Sequence, residues 1–153
     1  MLMTILFALC LVVLTVVIHA LGFSALLRAI VRSNALARSG FRLVTRMVIG
    51  LTCWLLLVHL LEIAVWGLFY FWQGCLPDAG SAFYFSGVTY TTTGYGDLVL
   101  PESWRMLAPL EALTGILMCG LSTGLFFAVV SQWFRNWIQR KAALEPPSAA
   151  PRN

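Results

Sequence analysis

The sequence predicts an all-α membrane protein that crosses the bilayer as three helices and, between the second and third, enters it partway and returns. Three observations predict this. The chain of 153 residues is 60% hydrophobic and only 10% charged, with a mean hydropathy of +0.87, well beyond an ordinary soluble domain. Three apolar stretches, at 2–27, 47–72 and 107 to about 133, exceed the roughly 20 residues that cover about 30 Å of hydrocarbon. The stretch between the last two is too apolar for a surface loop and too short for two further spans.

The first span could be taken for a secretory leader, but it lacks a basic start, is too long, and reaches Arg28 without a small-residue cleavage pattern. It is expected to stay in the protein as segment 1–27. A basic linker follows at 28–46, holding Arg28, Arg32, Arg38, Arg42 and Arg46. Asn34, Ser39 and Gly40 interrupt these arginines, and they lie outside the apolar length of the span, so the linker is not a voltage-sensing ladder. Arg135, Arg140, Lys141 and Arg152 follow the last span, and Arg105 stands alone elsewhere. Basic residues concentrate on the cytoplasmic side of membrane proteins. The linker and C-terminus are therefore expected in the cytoplasm, with the N-terminus and the segment 73–106 outside.

Aromatic residues mark the same boundaries. Trp66, Phe69, Tyr70, Phe71 and Trp72 crowd the outer end of the second span, and Trp133, Phe134 and Trp137 the inner end of the third. The tail 135–153 is expected in the cytoplasm, with its Pro-, Ala- and Ser-rich end disordered. The net charge of +4 belongs to residues flanking the spans rather than to a basic domain, so no nucleic-acid partner is implied. Cys10, Cys53, Cys75 and Cys119 show no metal-ligand spacing. Nucleophile elbow, paired-histidine metal motif and cofactor fingerprint are all missing, so the sequence points away from an enzyme and from any cofactor. The linker could rest on anionic lipid, each basic residue near that surface contributing about 1 kcal/mol. The expected location is a cell membrane, and the shortness of the chain points to the cytoplasmic membrane of a bacterium.

Within 74–103, Asp78 and Ser81 are good N-cap residues, and the apolar run after them makes a short helix over about 81–91. Residues 91–97 then read TTTGYGD. Gly94 and Gly96 admit backbone angles closed to other residues, so an extended segment can turn its carbonyls to one side. Non-helical backbone at membrane depth is tolerated only where it is buried in protein or lines a water-filled path. With no internal repeat, several such segments around an axis must come from separate chains.

The TTTGYGD segment closely resembles the selectivity filter of the potassium channel pore-domain family. That resemblance implies a homotetramer in which each chain contributes an outer helix (47–72), a pore helix (about 81–91), a filter (92–97) and an inner helix (about 107–134). It implies K+ as the permeant ion, coordinated by the backbone carbonyls of Thr92, Thr93, Gly94 and Tyr95 and the Thr92 hydroxyl, with Gly96 and Asp97 at the outer mouth. The pore helix would direct its C-terminal dipole at the axis. Two departures stand out. Thr93 replaces the usual Val or Ile, which leaves a coordinating carbonyl in place; Tyr84 and Phe85 replace a tryptophan pair that braces the filter in many members, which leaves filter rigidity open.

The third span contains Gly115, Gly120 and Gly124, a pattern that permits close helix packing or bending. By position after the filter, Gly115 resembles the hinge glycine of the family's inner helix. Ionisable residues inside spans are expensive and usually face protein. His59 and Glu62 lie one turn apart on the second span, and Glu111 near the outer end of the third. Glu62 and Glu111 are expected to form structural hydrogen bonds or to sense pH, and His19 on the first span to be a packed interior histidine. His59 and Glu62 lack further clustered ligands in the sequence, so no metal site beyond the K+ path is expected. The alternative to a conducting channel is a pore-like membrane sensor or accessory subunit that does not conduct.

Overall fold

A computed structural model describes residues 2–33 and 41–144 of the chain. Arg38, the other linker residues 34–40 and the disordered tail end expected from Glu145 lie outside the described residues. Four helices account for the fold: α1 (Leu2–Arg32), α2 (Phe41–Trp72), α3 (Ala79–Tyr90) and α4 (Leu107–Leu144). Three of them, α1, α2 and α4, are long and apolar enough to cross a membrane. At 1.5 Å per residue α3 reaches only about 18 Å, too short to cross. No strand occurs among the described residues.

The helices overrun the apolar stretches that predicted them. α1 continues through Arg28 to Arg32, α2 begins at Phe41, and α4 runs on to Leu144. Residues 28–32 and 41–46 of the expected linker are thus helix, since backbone hydrogen bonding continues beyond the apolar stretch that hydropathy marks. α4 also passes through Gly115, Gly120 and Gly124 as one element.

Local chemistry sets the ends of the pieces that matter most. α2 stops in a Schellman arrangement: Gly74 takes φ +62°, its N–H bonds the Phe71 carbonyl at 3.1 Å, and the Cys75 N–H bonds that of Tyr70 at 3.0 Å. α3 starts two residues earlier than the expected 81. Asp78, with extended backbone, caps it by accepting from the Ser81 N–H at 2.9 Å. That bond, with a second from the Ser81 hydroxyl at 2.8 Å, holds the exposed Asp78 carboxyl below its usual range.

α1 and α2 run antiparallel and are joined at three levels. Trp66 Nε1 donates to Thr15 Oγ1 at 3.0 Å, His19 Nδ1 meets Glu62 Oε1 at 2.9 Å, and Trp54 Nε1 donates to the Gly22 carbonyl at 2.9 Å. Gly22 is required there because a Cβ would press on Val58 Cγ2. Two apolar clusters occupy opposite ends of the bundle. One gathers Ala8, Leu11, Trp66, Tyr70, Phe85 and Leu107 near the 91–106 segment; the other gathers Leu26, Leu51, Leu55, Leu125 and Val129 toward the arginine-rich end. The N-terminus of α1 therefore lies at the end of the molecule that carries the TTTGYGD segment.

Candidate filter and the network behind it

Residues 91–97 leave the C-terminus of α3 as irregular backbone, and all seven are exposed on the single chain, Tyr95 by 72%. The segment is fastened through its N–H groups. Thr92 N–H bonds the Thr89 carbonyl at 2.9 Å, and the N–H groups of Thr93 and Gly94 share the Val88 carbonyl at 2.9 and 3.2 Å. Among the described residues no backbone donor reaches the carbonyls of Thr92, Thr93, Gly94 or Tyr95. The N–H side is thus tied to the end of α3, and the carbonyl side is left for something else.

Backbone angles alternate in sign along this segment: φ is +59° at Thr92, +54° at Gly94 and +75° at Gly96, and negative at Thr93 and Tyr95. A Cβ at Gly94 would meet nothing within 4 Å, so glycine is needed there for its conformation and not for space. The positive φ of Thr92 is a strained choice for a β-branched residue, of the kind that collects at functional sites. Sequence reasoning identified the two glycines and named Thr92 as a site residue but missed its left-handed backbone, because nothing in a threonine signals one.

Asp97, at the end of the segment, accepts from the Tyr84 hydroxyl at 2.8 Å. Tyr84 thus ties α3 to the far end of the segment. Phe85 is buried and packs edge-on against Tyr70, with ring centroids 5.4 Å apart.

Behind the segment lie two buried carboxylates. Glu111, 0% exposed, accepts from Tyr70 at 2.7 Å and from Ser86 at 2.5 Å. Ser86 also lies 2.8 Å from the Ile63 carbonyl. Glu62, likewise 0% exposed, accepts from the Tyr90 hydroxyl and meets His19 Nδ1 at 2.9 Å. His59 Nδ1 stands 3.0 Å from the Tyr90 oxygen and 3.3 Å from Glu62 Oε2, and its Nε2 lies 3.0 Å from the Ser122 hydroxyl.

One assignment of protons satisfies these contacts. Tyr90 has one hydroxyl hydrogen and gives it to Glu62, so His59 Nδ1–H donates to the Tyr90 oxygen and His59 Nε2 accepts from Ser122. His19 donates from Nδ1 to Glu62. Donors from α1 and α3 converge on one acceptor from α2, and Ser122 on α4 closes the chain. The sequence pairs only His59 with Glu62; the fold adds His19, 43 positions away from Glu62, which is hydrogen-bonded as well as packed.

His19, His59 and Glu62 bring ligand-type atoms within 4.8 Å of one another, so the expectation that they lack a clustered third partner is corrected by this geometry. The atoms are nevertheless already engaged with each other. Among the described residues the buried Nε2 of His19 has no hydrogen-bond partner, whereas a metal-bound imidazole ordinarily donates its other N–H outward. The set is a hydrogen-bonded hub.

Gly115 sits where α4 crosses the end of α3. A Cβ there would overlap the Tyr90 carbonyl oxygen. Its lack of a side chain is used for close approach. Gly120 and Gly124 have nothing within 4 Å of their Cβ positions on the single chain.

A family model described as ion channel matches residues 58–132. Over this stretch the chain belongs to the ion-channel family. The matched stretch of the channel begins inside α2, takes in α3 and the whole 91–97 segment, and ends inside α4. It leaves out α1, and so His19. Neither curated proteins nor solved structures yielded a match to the channel. Membership of an ion-channel family, with three apolar spans, makes this a multi-pass membrane protein that provides a path for ions rather than an enzyme.

Proposed function

We propose that the chain is one subunit of a homotetrameric potassium-selective channel, with Thr92, Thr93, Gly94 and Tyr95 coordinating K+ and Gly96 and Asp97 forming the outer mouth. The alternation of φ sign at Thr92, Gly94 and Gly96 carries this reading. An ordinary strand points successive carbonyls to opposite sides; alternating φ sign turns them toward one side. With the N–H groups held back on α3, the carbonyls of 92–95 form a row of oxygens able to replace the hydration shell of an alkali cation.

The tetramer follows from the same segment. Exposed irregular backbone has no place in hydrocarbon, and four copies around an axis cover it while creating a water-filled path. α3 adds its C-terminal dipole, favourable to a cation, at the base of the filter. On this reading the N-terminus and the 73–106 segment face outward, and the helix ends bearing Arg28, Arg32, Arg42 and Arg46 face the cytoplasm, where they meet anionic lipid. Bending of α4 at Gly115 would open the path.

The experiment is flux through liposomes holding purified protein, driven by a K+ gradient with Na+ substituted in parallel. Gly94→Ala is the control, since it forces a side chain into a left-handed backbone at a cost of about 1–2 kcal/mol. K+ flux well above Na+ flux, lost in Gly94→Ala, is expected. A confirmed tetramer without flux across pH and voltage would instead indicate a sensor or accessory subunit.

A further inference from the structure

α1 lies outside the stretch that defines the family, yet it supplies one of the donors to the carboxylate behind the filter. We propose that His19 is a positioning residue for ion selectivity, acting through Glu62 on Tyr90 and so on the base of the filter. This rests on the potassium-channel reading and extends it to a helix that a two-span pore does not have.

The chain of contacts is short and buried. His19, 3% exposed, has one hydrogen-bond partner among the described residues, Glu62 at 2.9 Å. Glu62 holds the Tyr90 hydroxyl, and Tyr90, 1% exposed, is the last residue of α3. The carbonyls that fasten the filter belong to Val88 and Thr89, in the same final turn of α3. A shift of that turn therefore moves the anchors of Thr92, Thr93 and Gly94 together. On the opposite side the Tyr90 backbone rests against Gly115 without room for a Cβ, so the turn is confined by backbone on one face and by the hub on the other. Filter carbonyls select among ions by number, spacing and field, and spacing is what this turn sets.

The orphaned Nε2 of His19 supports a role beyond packing. A buried histidine retained for packing alone would be better replaced by an apolar residue, because the unpartnered nitrogen carries a desolvation cost. What this histidine provides in return is a rigid Nδ1 donor aimed at Glu62.

The test is the K+ to Na+ flux ratio of the full chain in liposomes, with tetramer content measured for each variant. His19→Leu and Tyr90→Phe should each lower the ratio about fivefold, the scale of one lost hydrogen bond, and the double variant should lower it no further. His19→Asn places an amide donor near the Nδ1 position and should keep the wild-type ratio, whereas His19→Gln, reaching toward Nε2, should not. Thr15→Val removes the Trp66 bond, also between α1 and α2, without touching Glu62, and should leave the ratio unchanged. A tetrameric His19→Leu with the wild-type ratio, or a Thr15→Val with an equal loss, would overturn the inference. Should His19→Leu fail to assemble, equal ratios for His19→Asn and His19→Gln would overturn it instead. Wild-type protein with no preference for K+ would remove the channel reading itself, a result distinct from either.

Discussion

Glu62 and Glu111 are the same residue type, both fully buried on spanning helices and both gripping α3, yet they grip it differently. Glu111 holds Ser86, in the middle of α3, using only hydroxyl donors. Ser86 has a second acceptor in the Ile63 carbonyl, so that grip is duplicated. Glu62 holds Tyr90, at the C-terminal end of α3, and gathers imidazoles from two helices. Of its donors, His19 has no other hydrogen-bond partner among the described residues, while the Tyr90 hydroxyl also stands 3.0 Å from His59 Nδ1, which accepts in its other tautomer. The middle of α3 can fall back on a backbone carbonyl, whereas its end can fall back only on an imidazole that must change tautomer, so α3 is most sensitive where it meets the 91–97 segment.

The largest expected effect breaks the comparison outright. Glu62→Leu strands His19 and forces the Tyr90 hydroxyl onto His59, which must change tautomer to accept it, and should destabilise the folded protein by about 3 kcal/mol. Glu111→Leu strands Tyr70 alone, because Ser86 can turn wholly to Ile63, and should cost about 2 kcal/mol. Thermal unfolding in detergent measures both; equal losses would mean that the two grips are equivalent. Gly115→Ala acts on the same end of α3 by overlap with the Tyr90 carbonyl and should cost about 3 kcal/mol. Gly120→Ala, with open space at its Cβ on the single chain, should leave the subunit fold stable.

Amide substitutions sharpen the contrast. Glu111→Gln keeps one acceptor and offers an N–H to a hydroxyl that can accept, so little should change. Glu62→Gln sets an N–H against the His19 donor; His19 must then move its proton to the buried, partnerless Nε2. Glu62→Gln should therefore be the less stable of the two by about 1–2 kcal/mol, read from the difference in unfolding midpoints.

The smallest effect lies at the other end of α3. The Asp78 carboxyl is held below its usual value of 3.8 by Ser81. A lowered folded value means that the cap contributes fully above 3.8 and that this contribution is lost as pH falls through the lower folded value. Asp78→Asn should flatten this acid limb of the unfolding midpoint while leaving the near-neutral midpoint almost unchanged, since Asn also caps.

What the sequence made legible is what local chemistry decides. The three spans followed from apolar length, the cap at Asp78 from residue type, and the 91–97 segment from its paired glycines. The helical overruns into Arg32 and from Phe41 were not legible, because hydropathy reports on lipid and not on where a helix stops. The hub was half legible: His59 and Glu62 are one turn apart on a single helix, but His19 reaches them only through the antiparallel docking of α1 on α2, which Gly22 permits by its close approach to Val58. Tyr84 is separated from Asp97 by 13 positions, and only the folded chain brings its hydroxyl to that carboxylate.

The central claim is that the carbonyls of 92–95 bind K+ in a tetramer. Crystals of the assembled protein soaked in thallium, a scatterer that substitutes for K+, test it most directly. The account predicts a row of anomalous peaks on the fourfold axis at the level of Thr92, Thr93, Gly94 and Tyr95, diminished when K+ is added back and absent in Gly94→Ala. An assembled protein with no peak on that axis would contradict it.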